Sequence, residues 1–247
     1  MTRLTSCADA EAAAARAADE VARGLRDAAR DRGVAHLALS GGTSPKRAYE
    51  LLRDELESWE AVEVWFVDER CVPPEHEQSN FRLAREALLE GAAGLASERV
   101  HRMPGELGPQ DGARSYETEL RERLTAPEAA SGGRPDSMPL LDIAVLGIGP
   151  DAHVASLFPG AATLEEREAL CLGVSDSPKP PPERITLSLP MLRAARRCLL
   201  LATGAEKSGA VEAMLGAPSS HAPASLLRRE RLTVVLDDAA DPTPHAR

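Results

Sequence analysis

The chain has few aromatic residues, with two Trp, two Tyr and three Phe in 247 positions. Lysine is scarcer still relative to its usual abundance. It occurs only as Lys46, Lys179 and Lys207, so positive charge is carried almost wholly by Arg, a bias that with the abundant Ala reads as codon usage rather than function. No apolar run approaches the roughly 20 residues that a membrane-spanning helix requires. The opening Met1-Thr-Arg-Leu-Thr-Ser6 lacks the apolar stretch of a signal peptide. Cys7, Cys71, Cys171 and Cys198 are scattered, without a C-x-x-C pair or a His at zinc-site spacing. They are expected to be reduced thiols in the cytoplasm, neither a disulfide framework nor a structural metal site. Neither a Walker loop nor a G-x-G-x-x-G fingerprint is present, so no nucleotide is implied. A G-x-S-x-G elbow is also missing, which argues against Ser156 as a serine nucleophile.

Acidic residues outnumber basic ones, 39 to 29, for a net charge of −10. That balance opposes a broad nucleic-acid surface. It leaves room for a small anion, because a few placed Arg side chains and backbone N–H groups can dominate locally. The length suffices to bury a substantial core and is read as a single domain over 1–247.

The Ala-rich stretch from Ala8 to Arg30 reads as a surface-lying amphipathic helix closed by Gly33. Apolar strands are expected at Val34–Ser40, Val62–Val67, Leu140–Leu146, Leu170–Val174, Arg184–Leu189, Arg197–Ala202 and Leu232–Leu236. Helices are expected from Pro45, which suits a first helical position, to about Leu56, and over Ser79 to Leu89, Asp111 to Leu124 and Ala205 to Leu215. Strands apolar on both faces, alternating with helices, predict an α/β fold: an open parallel sheet with helices on both faces. The Pro-, Gly- and Ser-rich segment 125–139 reads as a linker or mobile loop, and the tail from Asp238 to Arg247 as frayed.

In such folds ligands bind outside the carboxyl ends of the strands, and three segments there are unusual. Ser40-Gly41-Gly42-Thr43-Ser44-Pro45 follows the first strand and opens a helix. Its glycines allow close approach, and its hydroxyls and free N–H groups suit a phosphate, although alone it is equally an ordinary turn and N-cap. Asp68-Glu69-Arg70 ends the second strand with more charge than a strand exit needs, the plainer reading being a solvated turn. Asn80 reads as helix-start chemistry. Gly147-Ile-Gly-Pro-Asp151-Ala-His153 follows the third strand and carries the strongest signal, a His with a carboxylate two residues earlier on a glycine-bearing loop. That pairing suits a general base with its orienting group, and nearby N–H groups suit an oxyanion. His36 and His101 read as packing residues, and His76 as a weak site candidate.

Together, Ser40–Pro45, the stretch Trp65–Asn80, Gly147–Pro159, Arg184-Ile-Thr-Leu187 and Gly204-Ala-Glu-Lys207 resemble, in the same order, the signature segments of the 6-phosphogluconolactonase family. The resemblance covers about residues 8–236. It implies hydrolysis of 6-phospho-D-glucono-1,5-lactone to 6-phosphogluconate in the oxidative pentose phosphate pathway, on the open, mostly parallel, Rossmann-like α/β fold shared with the sugar-phosphate isomerases, with no metal or organic cofactor. It also implies His153 as the catalytic histidine, Asp68 and Arg70 as site carboxylate and arginine, and Arg184 and Lys207 as phosphate-binding residues. Gly41, Gly42, Thr43 and Ser44 complete the expected substrate-binding set, while either Asp151 or Asp68 orients the imidazole.

The expected partner is a small phosphorylated lactone, with no nucleic acid or membrane, and the chain is a monomer or small homo-oligomer. One departure is Ala152, where the family commonly has Gly; a φ above zero there would strain an alanine by about 1 kcal/mol. Two alternatives are a glucosamine-6-phosphate deaminase-like isomerase and a non-catalytic sugar-phosphate binding protein. The deaminases carry a glutamate shortly after their histidine, and here Phe158 stands in its place.

Overall fold

The computed structural model describes residues 2–124 and 140–243. Runs of Val, Ile and Leu that are apolar on both faces form the interior of a six-stranded sheet. In chain order its strands are β1 (Arg3–Cys7), β2 (Ala35–Leu39), β3 (Val62–Phe66), β5 (Ile143–Gly147), β8 (Arg197–Ala202) and β9 (Leu232–Asp237). They lie in the order β1-β9-β8-β5-β2-β3, and every neighbouring pair is parallel. Leu37, Leu39, Val64, Leu199, Leu200 and Val234 are fully buried, as expected where helices cover both faces of a parallel sheet. The α/β reading therefore holds.

Two features were not legible in the sequence. Arg3–Cys7 is an edge strand, half exposed and polar, so it carries no apolar run to mark it. Asp68–Arg70 is a short strand, β4, rather than the exit loop of β3. It pairs antiparallel with β7 (Arg184–Leu187), which pairs antiparallel with β6 (Cys171–Val174), forming a second sheet. Val67 joins the two sheets: its N–H donates to Leu39 at 2.9 Å, and its carbonyl accepts from Leu187 at 2.8 Å.

Helix α1 spans Ala10–Arg32, two residues later than expected at each end. Asp9 caps it by accepting from the Ala12 N–H, and Gly33 ends it in the left-handed region at φ 77°. Its alanines are not merely surface-lying. Ala13, Ala14, Ala17, Ala18 and Ala22 are buried, and their small side chains bring the helix close to the sheet and to α2 (Thr43–Glu55). Helix α3 (Asn80–Ala87) follows β4, and α4 (Pro109–Arg123) packs on β6 and β7. The stretch expected as one helix from Ala205 is a 3₁₀ turn, Ala205–Lys207, followed by the helix Ser208–Leu215. The short helix Leu189–Ala194 begins where the fifth expected strand, Arg184–Leu189, ends.

The segment expected as a linker, 125–139, lies outside the described residues. The tail beyond Asp237 is tied down at its start, since Ala240 is fully buried and its N–H donates to the Asp237 carboxylate at 2.8 Å. No helix among the described residues is long and apolar enough to cross a membrane.

The strand order fixes where a ligand can sit. From β2 the chain moves outward to β3, whereas from β5 it moves the other way to β8 and β9. The loops leaving β2 and β5 therefore diverge, opening a crevice at the carboxyl ends of these two adjacent strands.

Candidate active site

A cavity of about 310 Å³ occupies that crevice. Its first wall is the turn from β2 into α2. Gly41 is required by packing, because a Cβ there would fall 1.9 Å from Oδ1 of Asn80. Gly42 has φ 108°, a region open mainly to glycine, and as the N-cap it supplies no side-chain hydrogen bond to the helix. The first N–H groups of α2 thus meet the cavity without a side-chain cap, a suitable place for an anion. Pro45 takes the third helical position rather than the first, where its missing N–H still costs no helical hydrogen bond. The Ser44 hydroxyl is hydrogen-bonded to that of Thr203 at 2.6 Å.

The alternation of strand β4 divides the three charges that looked excessive in the sequence. Asp68 and Arg70 both line the cavity. Glu69 turns the other way and caps α3, accepting from the N–H groups of Asn80 and Phe81 at 2.7 and 2.8 Å and from the Ser79 hydroxyl at 3.0 Å. Burial outweighs these bonds and pushes the Glu69 carboxyl above its usual range. Asp68 is itself buried, its Oδ2 accepting from Ser156 Oγ at 2.7 Å and its Oδ1 from the Asn80 amide at 2.9 Å. Ser156 is therefore a supporting donor to Asp68. Asn80 is more than a helix-start residue, since it also lines the cavity. The Ser40 hydroxyl and Nε of Arg70 are buried on this wall without a hydrogen-bond partner among the described residues.

The loop after β5 supplies the third wall. His153 Nδ1 lies 2.6 Å from Oδ1 of Asp151. The Lys179 ammonium donates to the same oxygen at 2.9 Å and lies 3.2 Å from His153 Nδ1. Burial works against the charge on Asp151, but the bonds from Lys179 and His153 outweigh it and bring the carboxyl down to about 2. An ionised oxygen 2.6 Å from Nδ1 requires a proton on that nitrogen, because two lone pairs would repel at this separation. The tautomer is thereby set, and the lone pair is left on Nε2. Burial lowers the proton affinity of His153, and Asp151 only partly offsets it. Phe158 packs on the imidazole with centroids 4.7 Å apart.

Among the residues singled out in the sequence, Gly41, Gly42, Thr43, Ser44, Asp68, Arg70, His153, Arg184 and Lys207 all border the cavity. Asp151 stands behind His153 rather than on the wall, and it is the carboxylate in contact with the ring. Asp68 instead bonds Ser156 and Asn80. Arg184 is buried and commits Nε to the Pro181 carbonyl at 3.1 Å and Nη2 to those of Lys179 and Pro180 at 3.0 and 3.2 Å. His76 is exposed, with Nδ1 accepting from Gln78 N–H, and does not border the cavity. Ala152 sits at φ 59°, so the conformation that would strain an alanine is the one adopted, and Ala155 shares it at φ 50°.

Lys179 was missed. Its one sequence signal was scarcity, since two of the chain's three lysines border this cavity. Among the described residues no three His, Cys, Asp or Glu side chains are grouped as a metal ion would need.

The crevice at the topological switch point, lined by a helix N-terminus, cationic side chains and a His–Asp pair, is an α/β site suited to a small anionic ligand. The chain belongs to the family described as glucosamine-6-phosphate isomerases/6-phosphogluconolactonase, whose model matches residues 8–236. A 6-phosphogluconolactonase of Streptomyces coelicolor is 39% identical over 241 residues, covering 94% of this chain and 88% of the relative. Among solved structures, the 6-phosphogluconolactonase of Leishmania guyanensis is 32% identical, with a TM-score of 0.82 and 97% of each chain covered. That of Trypanosoma cruzi is 25% identical, with a TM-score of 0.84 and coverage of 97% of this chain and 96% of the other.

Proposed function

We propose that the chain is a carboxylic ester hydrolase that opens 6-phospho-D-glucono-1,5-lactone to 6-phosphogluconate, the second step of the oxidative pentose phosphate pathway in the cytoplasm. The observation that carries this reading is the His153–Asp151 pair at 2.6 Å on the wall of a cavity that also presents the start of α2.

A lactone is an activated ester, so water suffices as the nucleophile. Nε2 of His153 takes a proton from water as its oxygen bonds to the C1 carbonyl carbon. The tetrahedral intermediate then collapses, the bond from C1 to the ring oxygen breaks, and the imidazolium returns the proton to that oxygen. Asp151 holds the ring in the tautomer this sequence needs. Asp68, fixed by Ser156 and Asn80, is placed to accept hydrogen bonds from sugar hydroxyls. The phosphate falls to the N–H groups and hydroxyls of Thr43 and Ser44, to Lys207 and Arg70, and to Nη1 of Arg184, which takes no part in that residue's bonds to the 179–181 turn.

Phe158 against the imidazole favours this reading over a deaminase-like isomerisation, which calls for a second proton carrier close to the histidine.

The test is the rate of 6-phosphogluconolactone hydrolysis above the spontaneous background, with the lactone generated in place. His153→Ala is expected to lower kcat by about two to four orders of magnitude with the fold retained. Near-normal turnover in that variant removes His153 from the mechanism. No turnover by the folded wild type sinks the lactonase reading.

A further inference from the structure

Lys179 stands in a stiff and deliberately braced turn. It lies in Ser177-Pro178-Lys179-Pro180-Pro181-Pro182, where the prolines restrict the backbone and lower the entropy lost in fixing the side chain. Its carbonyl accepts from the Ser177 hydroxyl at 2.9 Å and from Arg184 Nη2 at 3.0 Å. Arg184 also grips the carbonyls of Pro180 and Pro181. The braced ammonium closes a triangle with Asp151 Oδ1 and His153 Nδ1, whose three sides are 2.6, 2.9 and 3.2 Å.

Stability does not account for this bracing. The Lys179–Asp151 pair is about one-third exposed on both sides, and such pairs contribute little to folding. Its chemical consequence is larger. Nδ1 carries the proton it shares with Asp151, so Lys179 is no hydrogen-bond partner of the ring and acts on it as a positive charge at contact distance. Asp151 and Lys179 together are neutral beside the resting imidazole. A proton gained by Nε2 creates a second positive charge 3.2 Å-scale from the first, partly cancelling the help given by Asp151.

We propose that Lys179 is a positioning residue that fixes Asp151 in its hydrogen bond to His153 and, by its charge, disfavours the imidazolium, making His153 a modest base that readily gives its proton back. This rests on the lactonase reading and deepens it. Expelling the ring oxygen needs a willing acid, whereas attack on an activated ester needs only a modest base. The groups acting electrostatically on the imidazole are Asp151 on its own loop, Lys179 on the proline turn and Asp68 on β4.

The test has two arms on Lys179→Met and Lys179→Arg. The first follows the His153 ring by NMR titration in the ligand-free protein and needs no activity. Lys179→Met is expected to raise the pH at which the ring protonates, and Lys179→Arg to restore it towards the wild-type value. The second arm measures pH profiles of lactone hydrolysis. The acid limb of kcat/KM is expected to move to higher pH in Lys179→Met, with kcat lower by roughly tenfold, the scale of one pKa unit in a proton transfer.

An unchanged His153 titration in a folded Lys179→Met variant overturns the proposal. So does a raised KM with kcat and the pH profile intact, which makes Lys179 a substrate ligand only. Should the wild type hydrolyse no lactone while the titration still moves, the reaction reading fails and the electrostatic coupling stands.

Discussion

Gly149 and His153 occupy space that only a glycine can share: a Cβ on Gly149 would lie 2.0 Å from Nδ1 of the imidazole and 2.5 Å from Oδ1 of Asp151. The glycine's conformation is not the reason, since its φ is not in the left-handed region; the His–Asp pair is folded down directly onto its backbone. Gly149→Ala is therefore expected to push both side chains out of register and to lower kcat by at least about a hundredfold, the scale on which small misplacements of a catalytic group act. Steady-state kinetics beside a thermal melt checks this. A variant with normal kcat would mean that the pair tolerates displacement.

Ser156 donates to Asp68 from 88 residues away, and the close polar contacts of the His153 ring are with Asp151 and Lys179 instead. Removing it leaves Asp68 one donor short in a buried position, a cost of about 1–3 kcal/mol. Ser156→Ala is expected to retain activity within about one to two orders of magnitude of wild type. A collapse of around a millionfold, as loss of a covalent nucleophile produces, would contradict water as the attacking group.

The alanine at position 152 occupies a left-handed conformation at φ 59° with its methyl group buried. Glycine there would relieve about 1–2 kcal/mol of steric cost. It would also give the unfolded chain more freedom, offsetting about 0.4–1 kcal/mol of that gain, and it would give up the burial of one methyl group, worth about 0.8 kcal/mol. Ala152→Gly is thus expected to change stability by less than about 1 kcal/mol while keeping activity. Ala152→Val, with a branched Cβ in the same conformation, should unfold at a clearly lower temperature. Equal melting temperatures for the two variants would show that the loop adopts another conformation in solution.

His101 is not the simple packing residue that its apolar surroundings suggested. It is buried, stacks on Trp65 at 3.9 Å, and meets Glu63 at 2.7 Å and Glu119 at 2.6 Å. Burial disfavours the imidazolium, but the two carboxylates outweigh it and raise the proton affinity of the ring. A folded value above the unfolded one means that the stabilisation is fully present below about pH 6.5 and is lost as pH rises through the raised value. Melting temperature should therefore fall as pH rises above about 6.5, and His101→Gln should flatten that slope. An identical slope in the variant would assign the pH dependence to other groups. His36 differs: burial lowers its proton affinity, and its Nδ1 accepts from Trp65 Nε1 at 3.2 Å.

The sequence by itself determined the layered parallel sheet, because strands buried on both faces must be apolar throughout, as Leu37–Leu39 and Ile143–Leu146 are. It also marked the loops at Ser40–Pro45 and Gly147–His153, where glycine and ionisable residues interrupt those runs. Strands β1 and β4 were hidden, since a polar edge strand and a three-residue strand bury too little to leave a pattern, whereas β6 and β7 of the small sheet were marked by their apolar runs. Only the tertiary structure decided between Asp151 and Asp68 as partner of His153. Both carboxylates are near the site in sequence terms, but choosing between them takes the 2.6 Å contact on one side and the Ser156 and Asn80 bonds on the other. Lys179 likewise became visible only when the turn braced by Arg184 brought it across 26 residues to His153, because local periodicity carries no record of contacts made through space.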